Sequence, residues 1–204
     1  MPDRGEELRV TNLGVVDYRE ALSLQEAVRA RRQTDEIGDT LLLLEHPPVY
    51  TRGRRTEPGE LPMGEDWYRA QGIDVLDVDR GGRVTYHGPG QLIGYPIMRI
   101  EDVVEFLRVM ERAIIAALAD EGIEAGVREG LTGVWVENRK IASIGIHVAR
   151  GVTTHGFAVN VTNDLQPFEW VMACGIQGVQ MTSVCRETGR ADGLACFRKR
   201  MAWR

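Results

Sequence analysis

Hydrophobic and polar positions change period several times along the chain, and each change marks an element. After Asp17, the apolar residues Tyr18, Ala21, Leu22 and Val28 recur at helical spacing. Asp17 followed three residues later by Glu20 is a capping-box start, and Gly38 is the expected stop. Leu41 to Leu44 is apolar at every position, the pattern of a strand buried on both faces, closed by Pro47 and Pro48. A short helix is predicted over Asp66 to Gln71, ended by Gly72, with a strand over Ile73 to Val78. The strongest helical stripe runs from Glu101 to Glu121: Val103, Phe106, Leu107, Met110, Ala113, Ile114, Ala117 and Leu118 share one face, and Gly122 ends it. Val134 to Glu137 and Ile141 to Val148 form a predicted hairpin turned at Asn138 and Arg139, and Phe157, Val159 and Val161 alternate as a third strand. An irregular stretch through Pro167 carries Cys174, and a short charged helix falls within Ala191 to Arg204. Strand clusters separated by two helices imply an α+β fold, a mixed and largely antiparallel sheet with helices packed on one face.

Length and composition narrow the classes. A chain of 204 residues is one domain, long enough to bury a core without staples. A hydrophobic fraction of 43% beside 27% charged residues is that of a folded globular protein. The net charge of −5 argues against nucleic acid as a partner. Arg52, Arg54 and Arg55 nevertheless make a local basic cluster, either a solvated loop or a docking site. The charged stretch Met1 to Val10 lacks a secretory core, and the longest aliphatic run, Ala113 to Ala119, is far too short for a membrane span. A cytoplasmic protein is expected, with no membrane partner. Cys174, Cys185 and Cys196 make neither a disulfide framework nor, with the histidines, a zinc pattern, so no metal is expected.

Three places depart from ordinary fold-making composition. The segment Arg80-Gly81-Gly82-Arg83-Val84-Thr85-Tyr86-His87-Gly88-Pro89-Gly90-Gln91 carries four glycines in twelve residues. It is either a tight hairpin pair or a bare backbone wall that suits a ligand with a polar head and an apolar tail. Lys140 is one of two lysines, with Lys199, against twenty-three arginines. An internal lysine in so arginine-rich a chain suggests a need for a compact amine able to give up a proton. Cys174 precedes a glycine in a non-periodic segment. A lone cysteine is more often a small core hydrophobe than a nucleophile, and the residues alone leave both open. Cys185 and Cys196 have no such setting. His87 and His155 lie next to glycines and are candidate pocket residues. His46 sits at a strand end and His147 on the polar side of a strand, and no spacing singles out a base.

In order along the chain, these segments resemble the lipoyl(octanoyl) transferase family, relatives of biotin- and lipoate-protein ligases. The resemblance runs from Leu41-Leu42-Leu43-Leu44-Glu45-His46-Pro47-Pro48-Val49-Tyr50 through the glycine-rich segment to Gly133-Val134-Trp135. It continues in Lys140-Ile141-Ala142-Ser143-Ile144-Gly145, His155-Gly156-Phe157-Ala158-Val159-Asn160-Val161, Cys174-Gly175 and Thr182-Ser183, about two-thirds of the chain in one order. The family usually has proline before its cysteine, where this chain has Ala173.

The resemblance implies a biotin/lipoate ligase-like fold over a single catalytic domain, residues 1–204, and an acyltransferase working without ATP, metal or other cofactor. Octanoyl-acyl-carrier protein would be the donor. Lipoyl domains of 2-oxoacid dehydrogenase complexes and the glycine cleavage H protein would be the acceptors. By motif position, Cys174 is the acyl-accepting nucleophile and Lys140 its activator. Arg80, Gly81, Gly82, Arg83, Val84, Thr85, Tyr86 and His87, then Ser143, Ile144 and Gly145, then Gly156, Phe157 and Ala158, would bind substrate. A free thiol is only a few per cent thiolate near pH 7. An ammonium about 4 Å from the sulfur stabilises the thiolate by up to ~4 kcal/mol at an effective dielectric of about 20. An ATP-dependent lipoate- or biotin-protein ligase is the alternative. Such an enzyme would share the fold and the glycine-rich segment but has no need of Cys174.

Overall fold

The structure, a computed structural model, describes residues 8–172, 179–191 and 193–204. Its main sheet has eight strands. In chain order they are β1 (Arg9–Val15), β2 (Thr40–Glu45), β6 (Gln91–Ile97), β7 (Gly126–Arg128), β8 (Leu131–Val136), β9 (Arg139–Ala149), β10 (Val152–Asn160) and β11 (Gln180–Met181). They lie side by side as β1-β2-β6-β10-β9-β8-β7, with β11 on β9. Only the β1–β2 and β11–β9 pairs are parallel. A second sheet of three strands, in the order β4 (Asp74–Asp77), β3 (Val49–Arg52), β5 (Thr85–His87), carries its own core of Tyr50, Tyr68, Ile73, Val75, Tyr86 and Phe168. The expected α+β class and largely antiparallel sheet are present.

Helices cover both faces of the main sheet, not one as the sequence suggests. Helix α1 (Tyr18–Gln33) begins at Asp17, whose carboxylate accepts from the Arg19 and Glu20 amides at 2.8 and 3.4 Å. It packs Ala21 onto Leu42, Leu44, Ile93 and Tyr95. Helix α3 (Val103–Ala119), capped by Asp102, and helix α5 (Leu194–Trp203) cover the opposite face. There Met110, Ile114, Leu118, Phe197 and Met201 meet Leu41, Leu43, Leu92 and Val159. The physical reason lies in the leucine run itself. Successive side chains of a strand point to opposite faces, so four buried leucines in a row require apolar cover above and below.

The remaining elements differ mainly at their ends. Helix α1 stops at Gln33, five residues before Gly38, because Asp35 takes the left-handed conformation (φ 56°) and breaks the helix first. Helix α2 (Glu65–Ala70) and β4 fall where periodicity places them. Strands β9 and β10 are longer than their alternating cores. The glycine-rich segment is not a hairpin: β5 joins the small sheet, and after Gly88-Pro89-Gly90 the chain crosses to the main sheet as β6. A short helix, α4 (Val184–Thr188), precedes α5.

Candidate functional site

A cavity of about 470 Å³ lies between the glycine-rich segment and the strands β8, β9 and β10. Close backbone contact builds its walls. The Gly81 amide donates to the Ile146 carbonyl at 2.9 Å, and a Cβ on Gly145 would stand 2.8 Å from the Gly81 carbonyl oxygen. Any side chain at position 145 would push the segment off β9. Arg80 is buried and ties the segment to the small sheet. Its Nη2 donates to the carbonyl and hydroxyl of Thr51, each at 2.7 Å, and to the Arg83 carbonyl at 2.9 Å. The arginine is thus a structural tie as well as a cavity wall.

Lys140, 5% exposed, stands at one end of this cavity. Its Nζ is 5.4 Å from the centroid of the Trp135 ring, within the range where a ring face attracts an ammonium. Gly133 makes the space: it has φ 123°, and a Cβ there would meet the Lys140 Cε at 2.7 Å and the Ala142 carbonyl oxygen at 2.5 Å. Only glycine tolerates both that dihedral and that contact. The Lys140 carbonyl accepts the Thr182 amide at 2.9 Å, and β11 pairs Met181 with Lys140. Cys174 lies outside the described residues. Before it, the Met172 amide donates to the Glu60 carbonyl at 2.9 Å.

The other end of the cavity is polar in composition but internally satisfied. Tyr18, His87, Tyr95 and His155 line it, all buried. His155 Nε2 donates to Asp79 Oδ1 at 2.7 Å, which leaves Nδ1 to accept from the Tyr18 hydroxyl at 3.3 Å. His46 Nδ1 donates to the Val16 carbonyl, so its Nε2 accepts from the Tyr95 hydroxyl, both at 2.7 Å. His87 Nδ1 donates to Gln91 Oε1 at 2.8 Å. Burial drives all three imidazoles toward the neutral form: His46 to a pKa of about 4, His87 well below the usual value, and His155 lower despite the opposing Asp79. Burial lifts the Tyr18 hydroxyl to about 12, and Tyr95 is raised likewise. Asp79 stays below the usual carboxylate range. Burial pulls it up, but the His155 hydrogen bond and the nearby imidazoles pull harder the other way.

Of the residues the sequence nominates, Arg80, Gly82, Arg83, Val84, Thr85, His87, Lys140, Ser143, Ile144, Gly145, Gly156, Phe157 and Ala158 line this cavity. Two of the nominated residues do not. Tyr86 packs into the small-sheet core against Tyr50 and Phe168, because its strand alternates and the cavity side belongs to Thr85 and His87. Gly81 docks on β9 through its backbone. The basic cluster splits. Arg52 is bound to Asp77 and Glu65, each at 2.7 Å, while Arg54 and Arg55 are exposed and Arg55 lines the cavity mouth. Sequence reasoning missed Tyr18, Tyr95 and Trp135 as cavity residues. Trp135 was visible only as part of Gly133-Val134-Trp135, and Tyr18 looked like an ordinary core-facing helix residue.

The family model described as "Lipoyl protein ligase A/B catalytic domain" matches residues 17–202. Among curated relatives, the octanoyltransferase of Solibacter usitatus is 50% identical over 168 residues, 80% of this chain and 76% of that protein. The octanoyltransferase of Corynebacterium efficiens is 45% identical over 193 residues, 90% and 74% of the two chains. That of Geobacter sulfurreducens is 45% identical over 192 residues, 92% and 79%. Among solved structures, a lipoate-protein ligase A bound with ATP superposes with a TM-score of 0.74 at 19% identity, covering 96% of this chain and 82% of the other. A putative lipoate protein ligase of T. acidophilum gives the same TM-score and coverage at 18% identity. These two likenesses speak for the fold. The family match and the relatives together place this chain in the lipoyl protein ligase A/B catalytic-domain family and, within it, among the octanoyltransferases, a family of acyltransferase enzymes.

Proposed function

We propose that the enzyme moves an octanoyl group from acyl-carrier protein, through a thioester on Cys174, to a specific lysine of lipoyl domains and of glycine cleavage H protein. The observation that carries this reading is the placement of Lys140. A buried amine stands at one end of a cavity whose wall combines bare backbone, apolar side chains and buried polar groups, on the strand to which the chain returns as β11 six residues after Cys174. Curated relatives named octanoyltransferase supply the acyl group and the reaction class.

In the first half-reaction the Cys174 sulfur attacks the carrier thioester carbonyl. The new carbon–sulfur bond forms, the old one breaks, and the departing carrier thiolate takes a proton from the Lys140 ammonium. In the second, the acceptor lysine amine attacks the Cys174 thioester, its proton passes to Lys140, and the Cys174 thiolate leaves. Thioester exchange is nearly balanced and amide formation runs downhill, so no nucleotide is consumed.

Intact-protein mass and peptide mapping after incubation with octanoyl-carrier protein test this directly. One octanoyl group on Cys174, and none on Cys185 or Cys196, is the expected result. A group on Cys185 with Cys174 free overturns the assignment. Modification of an apo-lipoyl domain from octanoate, ATP and magnesium, with none from the carrier thioester, would make the enzyme a ligase instead.

A further inference from the structure

The cavity has a direction. Lys140 stands at one end, and the wall then follows β9 through Ser143 and Ile144 to Gly145. Across the register, β10 contributes Ala158, Phe157 and Gly156 opposite those three, with His155 opposite Ile146 at the far end. Six residue steps along the strand lead from Lys140 to Ile146, a run of roughly 20 Å at ~3.3 Å per step. On the octanoyl-transfer reading, the thioester lies in the Lys140 part of that run and the hydrocarbon tail extends from it toward His155.

The residue at the far end is unusual in its backbone. His155 lies within β10 with φ 57°, the left-handed region that a non-glycine residue enters only against steric strain. Strand alternation would aim its side chain to the face of Phe157 and Val159, where α3 packs. The imidazole instead contacts Tyr18 of α1 and the Asp79 carboxylate, on the other face. Its amide is also engaged, donating to Gln25 Oε1 at 2.6 Å. The strained residue therefore serves to hold Tyr18. The Tyr18 ring is clamped further by stacking on His87 at 5.8 Å and by His46 at 4.8 Å between centroids. With 3% exposure it has no room to swing aside.

We infer that Tyr18, fixed by the strained His155, is the end wall that sets the longest acyl chain the enzyme accepts. The inference rests on the octanoyl-transfer reading above. Tyr18 is the specificity residue that meets the tail, and His155 is the positioning residue behind it. An acyl chain longer than the cavity must displace a ring held on three sides, while a shorter one forgoes roughly fourfold in binding for each methylene not buried.

The test is the rate at which the intact protein is acylated by hexanoyl-, octanoyl-, decanoyl- and dodecanoyl-carrier protein, each followed by mass. Tyr18→Leu shortens the wall and should raise the decanoyl-to-octanoyl ratio by about tenfold or more. Tyr18→Trp should move the optimum the other way, toward hexanoyl. His155→Ala and Tyr18→Phe each remove the hydrogen bond that fixes the ring and should both broaden the profile. A general loss of folding lowers all rates together and cannot shift the optimum in opposite directions for Leu and Trp. Folded variants that load every chain in the parent's ratios overturn the inference while leaving octanoyl transfer intact. Failure of the parent to load from any carrier overturns the transfer reading itself, and the end wall with it.

Discussion

Gly133→Ala tests the geometry around Lys140 most sharply. The substitution places a methyl group at φ 123° against two neighbours, the Ala142 carbonyl oxygen at 2.5 Å and the Lys140 Cε at 2.7 Å. The dihedral alone costs about 1–3 kcal/mol, and forcing a methyl into filled space costs ~1–3 kcal/mol more. A loss of about 3 kcal/mol is a reasonable centre, which for a domain of this size lowers Tm by roughly 6–12 °C. Calorimetry of the purified variant measures it. The sharper measurement is a double-mutant cycle with Lys140→Ala, which removes Cε and leaves only the carbonyl contact and the dihedral. Gly133→Ala should then cost about 1 kcal/mol less in the Lys140→Ala background than in the parent, a coupling within the range typical of residues in contact. Strict additivity, with equal losses in both backgrounds, would falsify the claim that Gly133 exists to make room for the lysine.

Other expectations follow from the same contacts. Lys140→Arg should reduce octanoyl transfer to an apo-lipoyl domain by ~10²-fold or more, since a guanidinium keeps the charge but cannot exchange a proton. Parent-like turnover in that variant would show that charge alone matters. Arg54→Glu with Arg55→Glu should weaken transfer from the acidic carrier and flatten its salt dependence, while loading from a small octanoyl thioester stays near the parent rate. Equal losses with both donors would refute docking at these arginines. His46 is neutral in the folded state with a pKa of about 4. Because that value lies below the unfolded one, its contribution is fully present above about pH 6.5 and is lost as pH falls toward 4, by about 3 kcal/mol. Denaturant titrations of the parent and His46→Gln across that window check the sign, and identical slopes would remove His46 from the account.

The sequence showed most plainly those parts of the fold that local pattern controls. The Asp17 cap, the apolar stripe of α3 and the alternation of β9 and β10 are statements about neighbours three, four or two residues apart. Less legible was whatever depends on partners distant in sequence. β1 is an edge strand of mixed exposure, ordered by its pairing with β2 and not by alternation of its own. The Leu41–Leu44 run announced burial on both faces, yet which helices provide it is decided by the crossover of the chain. Within the site, the glycine-rich segment and Lys140 stood out because composition departs there from fold-making norms. Tyr18 did not, because a buried tyrosine on a helix face has the same signature whether it meets a core or a ligand. His155 looked like a pocket residue from its neighbour Gly156, but its left-handed backbone is a consequence of Asp79, Gln25 and Tyr18 and has no local sequence signal.

The moorings on either side of Cys174 have a bearing on when the enzyme becomes reactive. Met172 is tied to Glu60, whose carboxylate pairs with Arg83 of the glycine-rich segment, and Met181 is laid against Lys140. Each tie joins residues tens of positions apart, and the second is a strand pairing within the main sheet. Such non-local contacts come late in folding, after the local helices and hairpins. A nascent or partly unfolded chain therefore carries a cysteine and a lysine with nothing to bring them together. Under the transfer reading proposed above, the thiol would stay an ordinary one through synthesis and serve as acyl acceptor only once these long-range contacts close, so that reactivity itself would report completion of the fold.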